Sequence, residues 1–290
     1  MILNHSRGFV KSSGLISYKN WQALFLTVRR TIVLQSAAEL YELELGRVAY
    51  NDVQSSINRM TDMKRPFVYI NVAMTADGKI DTFQRKGAAI SSERDKERVD
   101  RLRAEADAIM VGGKTLLDED PKLTVKSEAL RAERLERGLS PNPIKVGVIT
   151  EARLRDDSEF LNSGPANIVI FTTRWTSKHH ISLLKSRGAD VYVDDSERVN
   201  LFRALETLKE IGVERLMVEG GATLNFELLR LGLVDEVTAY VAPLIFGGAT
   251  APTLAAGSGL ERGEAIPLKL ADVEKWEDGG VLVKYILESK

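Results

Sequence analysis

Four places in the chain set residues able to do chemistry just after an apolar run. In "MVEGGATLNFELL" (217–229), Glu219 precedes Gly220 and Gly221, and a helical pattern opens at Thr223 and Leu224. Two glycines remove the Cβ atoms that would hold a ligand off the backbone. Free N–H groups at a helix start favour an anion. Taken alone, a tight turn beside an incidental glutamate explains the stretch equally well. In "MVGGKTLLDEDPKLTV" (110–125), Gly112 and Gly113 precede a short helical stretch opened by Lys114 and Thr115. This too suits a phosphate or pyrophosphate, although the wider glycine spacing of a P-loop is absent. Asp118, Glu119 and Asp120 read as a turn before Pro121 rather than a metal site, since nothing else supplies ligands. In "NVAMTADGKID" (71–81), Asn71 and Ala73 share one face of a strand and Asp77-Gly78 makes a turn. In "VIFTTRWTSKHH" (169–180), Thr172, Thr173 and Arg174 offer hydroxyls and a guanidinium to a ribose phosphate. His179 and His180 read as surface residues near a helix start. Two glycine pairs, each at a strand end, point to a nucleotide cofactor.

The elements that must position these residues alternate from residue 66 onward. Strands are expected at 67–74, 107–112, 142–150, 167–173, 189–193, 214–219 and 235–247. Between them fall helices at 91–106, with Ser92 and Asp95 at capping-box spacing, at 126–139, at 200–212 closed by Gly212, and at 223–232. Another helix contains "HHISLLKSR". The highly charged 126–139 segment reads as a solvated surface helix. "LKLADVEKW" and "GGVLVKYIL", separated by "EDGG", read as an antiparallel hairpin. Such alternation predicts an α/β fold of three layers, a mostly parallel sheet covered by helices on both faces. Ligands then bind beyond the carboxyl ends of the strands, where the four motifs sit.

Composition narrows the chemistry. The 290 residues carry 40 Lys+Arg against 41 Asp+Glu, so bulk charge makes no case for nucleic acid or an anionic membrane. There is no cysteine, which excludes disulfides, thiolate catalysis and cysteine-ligated zinc, and weakly suits a reducing cytoplasm. With only His5, His179 and His180, a histidine triad or histidine metal site is not expected. No apolar run approaches the roughly 20 residues that span a bilayer. "ALFLTV" (23–28) is too short for a signal core and is followed by Arg29-Arg30 without a cleavage site. Residues 1–62 show no strand–helix alternation, only an amphipathic helical spacing over 21–32. One reading makes them an added segment; the other places the true start at Met63, with the main domain over 63–290.

"NVAMTADGKI", "RAEADAIMVGGKTLLDEDPKLTV", "VEGGATLNFELLRLGLVDEVTAYVAPLIFGG" and "AP" at 251–252 occur in order. Together they closely resemble the pyrimidine reductase family of riboflavin biosynthesis. That family comprises the reductase domain of bifunctional deaminase/reductases and stand-alone archaeal and fungal relatives. The likeness runs from about Arg65 to the C-terminus. It implies a dihydrofolate-reductase-like fold, usually dimeric, using NADPH and no metal to reduce the ribosyl group of a pyrimidine ribosylamine 5′-phosphate to a ribityl chain.

Carried over by residue, the resemblance makes Thr115, Glu119, Thr150, Gly220, Gly221, Ala222, Thr223 and Leu224 cofactor contacts, Glu119 standing where the family usually has aspartate. It makes Arg103, Leu123, Lys126 and Glu219 substrate contacts, with Arg103 and Lys126 holding the 5′-phosphate. Glu219 accepts from the pyrimidine's amino groups, so its expected partner is the substrate ring rather than a protein cation. Asn71, Asp77 and Glu219 form the candidate catalytic set. Gly87 and Ala89 fall where bacterial relatives carry serine and tryptophan, which leaves only backbone contacts there. Asn71 stands where bifunctional enzymes have lysine and archaeal relatives asparagine. The upstream segment has neither cysteine nor a His-x-Glu motif, so it is no zinc deaminase. Both points favour reduction before deamination, hence the diaminopyrimidinone over its deaminated counterpart. A pterin or folate reductase on the same fold, and a nucleotide-binding protein without turnover, are the competing readings.

Overall fold

A computed structural model describes residues 64–287. The helical spacing at 21–32 and both readings of residues 1–62 lie outside the described residues. Chain order is β1 (Phe67–Thr75), α1 (Glu93–Glu105), β2 (Ala108–Gly112), α2 (Gly113–Asp118), α3 (Glu128–Glu136), β3 (Ile144–Val148), α4 (Glu159–Asn162), β4 (Ile168–Thr173), α5 (Lys178–Ser186), β5 (Ala189–Asp194), α6 (Leu201–Glu210), β6 (Arg215–Gly220), α7 (Ala222–Arg230), β7 (Glu236–Ala242), β8 (Lys269–Lys275) and β9 (Val281–Ile286).

One nine-stranded sheet results, in the order β5-β4-β3-β2-β6-β1-β7-β9-β8. All neighbours from β5 to β7 are parallel, and β9 and β8 add an antiparallel edge. Every residue of β2 and β4 is buried, which requires cover on both faces. On one face Ile109, Val111, Met217 and Ile170 pack with Phe160 of α4 and Leu184 of α5, flanked by Val99 and Leu102 of α1. On the other, Leu224 of α7 lies against Gly112. The chain winds outward from β1 to β5 and then returns β6 to the middle of the sheet. The carboxyl ends of β3, β2, β6 and β1 therefore lie side by side, a topological switch point of the kind that holds ligands.

Two expected elements change in detail and one is added. β7 stops at Ala242 because Pro243 has no N–H to give the ladder, so 244–247 is a loop. The short α4 was not expected from the sequence. The charged helix, α3, is not simply solvated: Leu130 and Arg134 are buried, and Arg134 donates to Ala104 O, Ala106 O and Ser140 O at 2.8–2.9 Å. Its guanidinium thereby closes the carboxyl end of α1, the helix that carries much of the site.

Lys145 of β3 is 1% exposed and donates from Nζ to Phe160 O (2.9 Å) and Ser163 O (2.5 Å), closing α4. Burial pushes its ammonium from an ordinary 10.5 down to about 8. Between those values the unfolded chain binds more protons than the folded one. Stability therefore rises with pH across that window, and the gain is lost as pH falls through about 8. Urea unfolding of the wild type and Lys145→Met checks this. The wild type should gain on the variant by about 3 kcal/mol between roughly pH 7 and 10.5. A pH-independent gap would assign the lysine an ordinary titration.

Candidate active site

Glu219 is the last residue but one of β6, and Asn71 lies on the neighbouring β1. The two strands pair as far as Ile70 and Val218, β6 bulges at Glu219, and both side chains lie on the face that α1 covers. α1 crosses that side and sends an arginine to each. Arg103 Nε and Nη2 donate to Glu219 Oε1 and Oε2 at 2.6 and 2.7 Å, and Arg103 Nη1 donates to Thr124 O at 3.1 Å. Both side chains of this ion pair are about 15% exposed (16% and 14%), so water screens the pair weakly. The carboxylate raises the Arg103 pKa against the opposing effect of burial. This corrects the expectation for Glu219: a protein cation holds it, and the ring must use the lone pairs that remain. Arg103 thus braces Glu219 and also lines the adjoining cavity.

Lys96, Val99, Asp100 and Arg103 recur at helical spacing on α1 and, with Ser91 and Lys126, line a cavity of about 160 Å³. Asp100 sets its far wall by accepting from Lys126 N (2.6 Å) and Ser127 N (2.8 Å). The Lys126 ammonium makes no hydrogen bond or close ion pair among the described residues, and its charge acts on Glu93 from a distance. Leu123 is 1% exposed and belongs to the core, so its side chain does not face the cavity. Its left-handed backbone (φ 48°) instead turns Thr124 O toward Arg103.

The two glycine pairs do different work. A Cβ on Gly113 would lie 2.8 Å from Ile149, and one on Gly112 3.1 Å from Leu224. That pair lets α2 and α7 pack closely, and it is not the open phosphate cradle expected from the sequence. Gly220 (φ 112°) has nothing within 4 Å of its missing Cβ, and Gly221 (φ 26°) begins α7 with no side-chain cap. The start of α7 thus keeps free N–H groups facing open space, the condition for receiving a pyrophosphate. Ala222, Thr223 and Leu224 form its first turn. Thr115 Oγ1 accepts from Gly221 N at 3.3 Å and so ties α2 to this start. Glu119 closes α2. Partial burial, and then the charge of Asp81, raise its carboxyl pKa, with Thr115 opposing. Thr150 is exposed beyond β3 and its carbonyl accepts from Thr173 Oγ1 at 2.7 Å.

Other expected groups turn inward. Thr172 and Thr173 are fully buried, and Thr172 Oγ1 pairs with Thr176 Oγ1 at 2.6 Å, so neither hydroxyl is free for a ribose phosphate. His179 and His180 do lie at the start of α5, near the Ser177 cap. Asp77 accepts from Thr75 Oγ1 (2.5 Å) and from Phe246 N and Gly247 N, fastening two loops together. The Thr75 hydroxyl chiefly lowers its pKa. Gly87 N–H is likewise engaged, by Asp81 at 2.9 Å. Asp120 leaves the acidic trio to accept from Ser158 Oγ, Glu159 N and Phe160 N, the start of α4. Sequence reasoning gave Asp95 only a role in capping α1, whereas its carboxylate turns to Arg98, which was missed. Their i,i+3 spacing on α1 was the available signal, and Arg98 reaches Asn71.

The candidate site of this α/β fold thus combines the adjacent carboxyl ends of β3, β2, β6 and β1, a cavity lined by Lys96, Arg103 and Lys126, and the uncapped start of α7. The chain belongs to the RibD C-terminal domain family, whose model matches residues 66–283. A 2,5-diamino-6-ribosylamino-4(3H)-pyrimidinone 5′-phosphate reductase of Archaeoglobus fulgidus is 43% identical over 213 residues, 73% of this chain and 93% of that protein. The protein of that name from Methanothermobacter thermautotrophicus is 44% identical over 207 residues, 71% of this chain and 91% of its own. Among solved structures, a pyrimidine reductase-like protein of Corynebacterium diphtheriae superposes with a TM-score of 0.68 at 20% identity, covering 80% of this chain and 95% of that one, which supports the fold. The chain is accordingly an oxidoreductase of riboflavin biosynthesis, and its family implies a nicotinamide cofactor and a small-molecule substrate.

Proposed function

We propose that this chain reduces 2,5-diamino-6-ribosylamino-4(3H)-pyrimidinone 5′-phosphate with NADPH, turning the ribosyl group into a ribityl chain. The observation that carries the reading is the Arg103–Glu219 pair. It stands between the cationic cavity and the glycine start of α7, so a phosphorylated ring and a dinucleotide meet there. The names of the 43% and 44% identical relatives favour the diaminopyrimidinone over its deaminated counterpart. A bound nicotinamide cofactor would supply a hydride to the anomeric carbon once the ribosyl ring has opened to an imine, whose nitrogen would take a proton.

The chain's part is positioning and exclusion of water. Lys126, with Lys96, binds the 5′-phosphate. Glu219, braced by Arg103, orients the ring. Gly220, Gly221 and the first turn of α7 seat the pyrophosphate, with Thr115, Glu119 and Thr150 around it. We further assign this work to a reductase domain over 63–290 acting as a cytoplasmic homodimer. Among the described residues no helix is long and apolar enough to cross a membrane.

NADPH oxidation measured with the diaminopyrimidinone and its deaminated analogue in parallel tests the assignment. Faster oxidation with the first is expected. Preference for the second reassigns the substrate. Oxidation with neither, despite NADPH binding, removes the enzymatic reading.

A further inference from the structure

Asn71 is 6% exposed, and its Oδ1 accepts from Arg98 Nη2 at 2.7 Å. Arg98 cannot swing away. Its Nε and the same Nη2 both donate to Asp95 Oδ1, at 2.9 and 2.8 Å, and Asp95 is fully buried. Among the described residues Asp95 Oδ2 has no hydrogen-bond partner and only Arg98 pairs with that carboxylate, so the arginine is held in return.

A guanidinium only donates, whereas an amide has one accepting oxygen and one donating nitrogen. Arg98 therefore dictates which end of the Asn71 amide faces it. The oxygen turns toward α1 and the NH₂ turns away. That NH₂ has no acceptor among the described residues. Glu219, on the neighbouring strand and reached by the same helix, supplies an acceptor on that face. A donor next to an acceptor complements a ring carbonyl next to a ring N–H. We propose that Arg98 is a positioning residue that fixes the Asn71 amide with its NH₂ toward the substrate, so that this position reads a ring carbonyl by donation.

The inference rests on the pyrimidine reading above. It gives the amide a ring feature that both candidate pyrimidines carry, the 4-carbonyl beside N3–H. Discrimination at position 2 then falls to Glu219, whose lone pairs suit an amino group and repel a carbonyl.

Asn71→Asp is the discriminating variant. It is isosteric and keeps an oxygen for Arg98, but replaces the outward donor by an acceptor. The KM for the diaminopyrimidinone should rise about 10- to 100-fold. NADPH affinity and melting temperature should stay close to the wild type, a split that simple loss of structure would not give. Arg98→Lys keeps a charge beside Asp95 but lacks the fork, so the amide is freed and KM should rise severalfold. In the Asn71→Asp background the same change should add little. An unchanged or lower KM in Asn71→Asp would show the amide oxygen facing the ring and overturn the proposal. Independent, additive effects of the two variants would do the same. If the wild type turns over neither pyrimidine, the pyrimidine reading itself fails and this proposal falls with it.

Discussion

Replacing Glu219 by glutamine should lower kcat/KM for the diaminopyrimidinone by about 100-fold while leaving NADPH affinity within about threefold. The magnitude follows from what is lost. Two charge-assisted hydrogen bonds, at 2.6 and 2.7 Å, hold the carboxylate on Arg103. Hydrogen bonds to charged groups contribute roughly 1.5–3 kcal/mol each, and one such bond to the ring lost in the transition state is worth about 10- to 150-fold. Glutamine keeps one oxygen, but its NH₂ faces a guanidinium that can only donate, so the fork breaks and the ring loses its acceptor. NADPH should be spared because the seat proposed for it is the start of α7, and the Glu219 carboxylate is turned to Arg103 instead. The protein should also lose stability, since Arg103 is left mostly buried beside a neutral amide. Steady-state kinetics, a cofactor titration and a melting curve separate these effects. Loss of NADPH affinity equal to the loss of turnover would place Glu219 in the cofactor site instead.

That prediction also marks what the sequence could and could not say. The strand ends were legible because apolar runs bounded by glycine and charge are local signals, and β1, β2, β6 and the closing hairpin follow them within a residue or two. The pairing of Arg103 with Glu219 was not legible. The two are 116 positions apart, and only the return of β6 to the centre of the sheet brings α1 over both Asn71 and Glu219. Thr172 and Thr173 misled for the same reason. A hydroxyl after a strand suits a ribose only if no turn captures it, and here Thr176 and the Thr150 carbonyl do. Asp120 shows a gain of the same kind. A non-glycine residue at φ 46° looks costly alone, yet its carboxylate closes the start of α4, which Lys145 holds from the other end. Tertiary partners of charged residues have no period, so composition and spacing pass over them.

The glycines give the second large effect. Gly221→Val should raise the NADPH dissociation constant at least 100-fold and change pyrimidine affinity far less. Gly221 sits at φ 26°, outside the range a β-branched residue adopts, and Gly220 beside it at φ 112°. Forcing valine there costs on the order of 1–3 kcal/mol in backbone strain. The added Cβ would lie 3.4 Å from Thr115 Oγ1, with two methyl groups reaching further. The backbone can relieve this only by turning the Gly221 N–H away from Thr115, which is also the direction in which the start of α7 offers its N–H groups. The side chain would then occupy the space left open for the pyrophosphate. Gly113 supplies the contrast. Its missing Cβ is filled by Ile149 at 2.8 Å, so Gly113→Val should cost folding stability rather than cofactor affinity alone. Fluorescence titration with NADPH beside thermal unfolding distinguishes the two glycines. A Gly221→Val protein that melts normally and still binds NADPH with wild-type affinity would move the cofactor off the start of α7.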